Sequence, residues 1–417
     1  MGMTHLGLNS AAASAARGCN VVCFDPDEKL VEALTNGNLP VVEPDLPELI
    51  NDHAKLIVFS NQTASLSACD IVYFAPDIAT DDQGGSDLSR LEELMEIVDG
   101  TLCADCVEVI LSQVPPGFTR QLMRPGRQLF YQVETLIFGR AIERAMYPER
   151  YMIGCDDPLL ALPNVFREFL ELYDCPILPM RFESAELAKI SINCFLVAQV
   201  GTTNTLAEIC ESIGADWEEI APALRLDARI GPKAYLRPGL GIAGGNLERD
   251  LTTIVKLGER FQTDVGIVRA EINNSRHRKL TAARVLRDHV LPSLSAPEIS
   301  VWGLAYKENT HSIKNSPSLA TLTEFPEITF RVHDPVVHID DTGLDNIIGF
   351  EGELSAARGT DCLMILTPWE QYRSIDLTTL AGSLRGKWLI DPFGIINGKA
   401  ARDAGLRYVM LGAPPID

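Results

Sequence analysis

Twice along this chain, short apolar runs rich in β-formers alternate with helical patterns, an alternation that leaves room for little except parallel sheets covered by helices on both faces. The first set has strands at residues 20–24, 56–60, 71–75, 107–112, 129–132 and 151–154, with helices at 27–36 and 88–98. The second has strands at 299–302, 329–333, 362–366 and 388–390, with a loop at 303–307 after its first strand. Between them, residues 183–213 form one long helical run, more apolar all round than a surface helix. Such a helix crosses a domain junction or packs against a second subunit. A chain of 417 residues exceeds one hydrophobic core. We therefore expect an α/β protein with two Rossmann-like parallel-sheet domains, 1–180 and 291–417, joined by a helical domain at 181–290. The joint LPSLSAP at 291–297 marks the last boundary.

The amino end carries the first candidate site. Gly2 and Gly7 stand at the outer spacing of GxGxxG, a small-residue helix follows, and the next strand ends at Asp25. That order supplies a tight turn, a helix amino end for a pyrophosphate and a carboxylate for ribose hydroxyls. Gly2, Thr4, Gly7 and Asp25 are thus candidates for binding NAD. NADP is less favoured, because Asp25 would repel a 2′-phosphate. Thr4 replaces the middle glycine, and the strand expected before the turn is missing from the sequence. Gln113, in the loop 112–117 after a buried strand, stands where such sheets place ligand contacts.

The stretch PGLGIAGGNLERD at 238–250 is too rich in glycine for a helix interior or a packed strand, so we expect a loop that lets backbone N–H groups approach a ligand. Lys189 and Asn193 lie four apart on the long helix, hence on one face, inside an apolar stretch. They form either a buried polar site or a solvated pair.

A formal charge of −21 argues against a nucleic-acid surface, because no Lys/Arg run concentrates a basic face. Any anionic ligand must meet a local basic pocket. No apolar stretch is long enough for a membrane span and no signal peptide precedes the first motif, so a cytoplasmic protein is expected. The ten cysteines lie mostly in apolar segments, as reduced thiols do. Cys103 and Cys106 form a lone CxxC without a second pair, and no metal site is expected.

Three segments in order, AELAKISINCFLVAQV, LDARIGPKAYLRPGLGIAGGNLERD and GLAYKENTHSIKNSP, resemble the UDP-glucose/GDP-mannose dehydrogenase family over nearly the whole chain. The resemblance implies an NAD-binding domain, a central helical dimerisation domain and a domain for the nucleotide sugar. Family members oxidise a sugar CH2OH to a carboxylate with two NAD, holding an aldehyde as a thiohemiacetal on a cysteine. It further implies catalytic roles for Lys189, Asn193, Asp250 and Glu134, and contacts from Arg229 to a neighbouring subunit's substrate. It implies as well that Lys307 faces the sugar nucleotide and the cofactor, and that Lys233, Tyr235, Gly241 and Gly244 join the substrate-binding set. The family's cysteine position is Asn246 here, and an amide cannot attack a carbonyl. Other departures are Gln132-Val133 for the Asn-Pro before the glutamate, Phe138 for a later Glu, Gln113 for a Thr and Phe393 for a late Arg.

These residues point to an NAD-dependent oxidoreductase making one two-electron oxidation on a nucleotide-linked sugar, stopping at aldehyde or ketone or epimerising through it. Asn246 would hydrogen-bond the carbonyl product. The alternatives are a non-catalytic nucleotide-sugar-binding scaffold for an active paralogue, and a full four-electron 6-dehydrogenase. A homodimer through the central helix is expected in either case.

Overall fold

The computed structural model describes residues 1–80 and 85–415, which divide into two compact units, Met1–Ile192 and Asn193–Asp417. In the first, helix α1 (His5–Ala16) precedes strands β1 (Val21–Phe24), β2 (Ile57–Ser60), β3 (Ile71–Phe74), β4 (Val107–Ile110), β5 (Gln128–Gln132), β6 (Tyr151–Cys155) and β7 (Ile177–Arg181). Strands β3 to β7 form one sheet in chain order, while β1 and β2 make a separate parallel pair.

Six of these strands fall where apolar runs place them. The expectation of a wholly parallel sheet needs correcting, because β5 and β6 run antiparallel, with Tyr131 opposite Gly154. All five residues of β6 are buried, and a continuous apolar run carries no record of its direction. Strand β7 (ILPMR) was not expected. Among the described residues it pairs only with β6, and it exposes three of its residues with Pro179 in the middle, as an edge strand can.

Helix α2 (Phe182–Ile213) begins in the first unit and continues into the second. Helices α3 (Asn246–Phe261) and α4 (Gly266–Lys279) follow. The helical stretch after the glycine-rich loop is therefore broken into separate helices. Gln262 turns left-handed at φ 57° and ends α3, a conformation that an L-residue enters at a cost and that Gln does not advertise. The glycine-rich loop is also shorter than expected: it closes at Gly245, and Asn246 opens α3.

The second unit's sheet contains β8 (Ile299–Trp302), β9 (Phe330–His333), β10 (Ile347–Gly349), β11 (Cys362–Ile365), β12 (Trp388–Ile390) and β13 (Arg407–Val409). Its order is β10-β9-β8-β11-β12-β13, every neighbour parallel. That is the doubly wound order, reversing direction between β8 and β11. Every residue of β8 and β11 is buried, as strands covered on both faces must be. Trp302 closes the core with no exposed surface, its indole N–H donating to Glu353 O at 3.0 Å. At the end of β9, the Asp334 carboxylate accepts from the backbone N–H groups of Leu304, Ala305, Val336 and Val337 and from the Trp369 indole.

Candidate active site

The turn into α1 has the form that a dinucleotide requires. Gly2 sits at φ +84°, and a Cβ there would meet Pro76 N at 2.8 Å. A Cβ on Gly7 would lie 1.9 Å from Gly2 O. Only glycine permits both approaches, and they bring the backbone of the turn against the start of the helix. Thr4, at the helix N-cap, makes no side-chain cap to its own helix. Its hydroxyl instead accepts from Asp77 N at 2.9 Å and donates to Ala75 O at 3.4 Å. These features fit NAD, whose pyrophosphate the turn and the start of α1 would hold.

Two neighbours condition that fit, and neither was found in the sequence. The Asp77 carboxylate accepts from His5 N at 3.0 Å, placing negative charge where a phosphate would gain from the helix amino end. Buried Asp25 accepts from Met3 N and Asp27 N and pairs with Arg90 at 2.8 Å. Arg90 thereby tempers the repulsion that Asp25 alone would direct at a 2′-phosphate. Asp77 is 72 residues from His5 in sequence, and no local pattern announces such a pairing.

Beside the turn, His5 pairs with Glu43 at 2.8 Å and stacks on Phe138 with ring centroids 4.1 Å apart. Glu43 also accepts from Gly139 N and Ala141 N. Burial pushes the Glu43 carboxyl upward, but His5 and the two N–H groups outweigh it and hold it below its ordinary range. Phe138 is thus part of a fixed loop. Gln113 is half-buried in the loop between β4 and the short helix Phe118–Gln121. Glu186 of α2 holds that helix start by accepting from Gly117 N at 2.5 Å and Thr119 N at 2.8 Å.

Glu134 and Lys189 come together within the first unit as an ion pair at 3.6 Å, both side chains largely buried. Burial raises the Glu134 carboxyl above its usual range, and the Lys189 ammonium opposes that rise without cancelling it. Glu134 also accepts from Leu136 N. Lys189 is therefore held by a carboxylate rather than solvated.

In the second unit, Asn193 Nδ2 donates to Asp250 Oδ2 at 2.5 Å, and Arg249 Nε lies 3.3 Å from Asp250 Oδ1. Asp250 is 1% exposed, so its charge is matched by a guanidinium and an amide. Asn246, exposed, is the first residue of α3. Cys194 follows Asn193 on α2, and burial, with the nearby Asp250 and Glu271 carboxylates, pushes its thiol up to about 11.

The glycine loop is pinned at its narrow points. Gly241 (φ +75°) would bring a Cβ within 2.4 Å of Ser275 O, and Gly244 (φ +77°) would bring one within 3.0 Å of the Tyr306 ring. Asn315 braces it, donating to Glu248 at 2.7 Å and to Ile242 O and Gly244 O at 3.4 Å. Lys279 donates to Asn315 Oδ1; burial lowers its ammonium below the ordinary lysine range, partly offset by Glu248. Asn315 and Lys279 were not among the expected residues. Lys307 Nζ lies 5.7 Å from the Tyr306 ring centroid. Lys233 is exposed, as is Tyr235, whose backbone joins α2 through Gln199 and Thr203. Arg229 projects from the surface, gripped by Asp227 at 2.6 Å.

Comparison with known proteins matches residues 1–173 to the NAD binding domain of the UDP-glucose/GDP-mannose dehydrogenase family, 183–275 to its central domain and 300–398 to its UDP binding domain. UDP-glucose 6-dehydrogenase TuaD of Bacillus subtilis is 28% identical over 432 residues, spanning 100% of this chain and 93% of that protein. UDP-glucose 6-dehydrogenase of Rhizobium meliloti is 28% identical over 438 residues, covering 99% of each. A UDP-glucose dehydrogenase structure from Pyrobaculum islandicum superposes with a TM-score of 0.84 at 26% identity, covering 98% of this chain and 95% of that one. At 21% identity, UDP-D-ManNAc dehydrogenase from Pyrococcus horikoshii shares the fold with a TM-score of 0.84, covering 99% of this chain and 98% of its own.

Proposed function

Because this chain belongs to the UDP-glucose/GDP-mannose dehydrogenase family of NAD-dependent nucleotide-sugar dehydrogenases, we propose that it makes a single two-electron oxidation of a sugar alcohol and stops at the carbonyl. One observation carries this reading: the first residue of α3, where the family resemblance puts the nucleophile, is Asn246. An amide forms no thiohemiacetal. Cys194 is a poor substitute, since a thiol at about 11 is almost wholly protonated near neutral pH.

NAD bound in the first domain supplies the hydride acceptor. Lys189, fixed by Glu134, offers positive charge to the developing alkoxide, and that charge is worth most where water is scarce. Asp250, oriented by Asn193 and Arg249, takes the hydroxyl proton through a water. Asn246 donates an amide hydrogen bond to the carbonyl product. Arg229, Lys233, Tyr235, Lys307 and the loop glycines hold the nucleotide sugar, with Lys and Arg as the residues suited to a diphosphate in an acidic protein.

We further propose a homodimer along α2, where Leu187, Phe195, Leu206, Ile209 and Ile213 all stay exposed, Phe195 by 73%. Arg229, exposed though paired with Asp227, suits a contact to the partner copy's substrate. Among the described residues no helix is long and apolar enough to cross a membrane. The ten cysteines are free thiols, which supports a reducing, cytoplasmic setting. The test of the reaction is to incubate UDP-, GDP- and CDP-sugars with NAD and count NADH per product by mass spectrometry. A single NADH and a carbonyl product are expected; two NADH and a carboxylate would refute the proposal.

A further inference from the structure

The Cys103–Cys106 pair lies on the surface turn that feeds β4. Cys106 N donates to Cys103 O at 3.1 Å, and the two residues between them, Ala104 and Asp105, are exposed. A four-residue turn closed in this way keeps its first and fourth Cα atoms within about 7 Å, and a disulfide spans Cα atoms about 4.4–6.8 Å apart. The backbone thus brings the two cysteines to bonding range. Their side chains meet as well, since the two thiols share a hydrogen bond.

The surroundings of the two thiols differ. Cys103 is exposed, and its Sγ donates weakly to Cys69 O at 3.9 Å. Cys106 is 4% exposed and belongs to the core cluster that contains Leu66, Val72 and Met95. Burial first, then the neighbouring Cys103, Glu108 and Cys69, push its thiol up to about 12. A third thiol stands close by, because Val107 of β4 lies opposite Ile71 of β3 and donates to Asp70 O, next to Cys69. The Cys69 Sγ, however, donates to Ser65 O at 4.0 Å. An open thiol is therefore backed by a closed one within disulfide reach, while the third is engaged elsewhere.

We infer that Cys103 and Cys106 form a reversible dithiol–disulfide site for small disulfides of the glutathione type, with Cys103 as the entry and Cys106 as the resolving thiol. Cys103, its proton lost to solvent, attacks one sulfur of the incoming disulfide; a new S–S bond forms at Cys103 and the first glutathione leaves as a thiolate. Cys106 then gives up its proton and attacks the Cys103 sulfur, expelling the second glutathione. The protein loses two electrons and two protons, and one small disulfide becomes two thiols. The pair sits at the amino end of β4, the end away from the loop that carries Gln113. The site therefore does not rest on the proposed reaction.

The test incubates the full chain with glutathione disulfide at about pH 8, quenches with iodoacetamide and maps tryptic peptides. Residues 91–120 make one tryptic peptide holding both cysteines, and 56–90 another holding Cys69. The parent is expected to give a 91–120 peptide lighter by about 2 Da, free of alkyl groups and restored by reduction. Cys106→Ala is expected to halt at a glutathione adduct on Cys103, heavier by about 305 Da. Cys103→Ser is expected to leave Cys106 modified about tenfold less than Cys103 in the parent, or lower still. A parent peptide that takes an alkyl group on each cysteine, or that keeps the glutathione adduct, would overturn the inference. So would a cross-link between the two peptides, which pairs Cys69 with one of the others, and so would modification of Cys106 in C103S at the parent's rate.

Discussion

On the single-oxidation reading, placing a thiol at the head of α3 should add the second oxidation, and the size of the effect follows from the helix. Asn246 is the first residue of a 16-residue helix whose N-cap, Gly245, offers no side-chain cap. A thiolate there gains from the unsatisfied N–H groups and the helix dipole, an effect worth about 0.3–1 kcal/mol at a surface and up to about 2 when partly buried. At about 1.4 kcal/mol per pKa unit, Asn246→Cys should titrate at roughly 7–8, below the ordinary value near 8.5. Cys194 is pushed up to about 11, so the two thiols differ by at least about three pKa units. Near pH 8 the thiolate at 246 should thus be about a thousandfold more populated. Iodoacetamide labelling with peptide mass spectrometry across pH 6–10 reads this directly, and the same N246C protein is then assayed for NADH per sugar oxidised. Labelling at 246 together with a shift from one NADH to two, and from carbonyl to carboxylate, is expected. If residue 246 is labelled as a low-pKa thiol yet the count stays at one, the absent nucleophile is not what ends the reaction.

Asp77→Asn keeps an acceptor for His5 N but removes a negative charge from the amino end of α1, so the Kd for NAD should fall about two- to fivefold by calorimetry. Asp391 is wholly buried, accepting from Ile396 N and Tyr408 OH, and burial pushes its carboxyl up to about 6. A raised carboxyl pKa means stability that is complete below about pH 4 and lost as pH rises through about 6. Asp391→Asn should therefore match the parent at pH 4 and exceed it by on the order of 3 kcal/mol at pH 7.5 in urea unfolding; equal stabilities at both pH values would contradict this. Phe195→Asp should convert a dimer to a monomer in light scattering if the exposed face of α2 is the interface, and an unchanged mass would count against that face.

Where a strand is buried on both faces, the sequence states it almost without ambiguity: ISVW at 299–302 and CLMI at 362–365 carry one polar residue between them, Ser300. Edge strands such as β7 and β13 are short or partly exposed, and their residues suit a loop equally well. The end of α3 was hidden because Gln262 is forced left-handed by the return of Thr263 N to Gly258 O, a contact made by folding. At the candidate site, the glycines of the first turn, the Lys189–Asn193 spacing and Asp250 were legible by type and order. Asp77, Glu43, Arg90 and Lys279 were not, since each acts on a site residue reached through tertiary structure. Charge partners carry no periodicity of their own, and so leave no trace in a linear pattern.

A protein in which parallel strands covered by helices occur in both units offers an adenine dinucleotide two berths, and something must tell them apart. In the second sheet the carboxylate that follows the neighbouring strand, Asp334, is already saturated by five N–H donors from its own domain. Ribose hydroxyls arriving there would have to displace bonds worth about 1.5–3 kcal/mol each, because the acceptor is charged. Those five donors disfavour a coenzyme at the second sheet, whereas Asp25, with three donors from Met3, Asp27 and Arg90, keeps the greater accepting capacity.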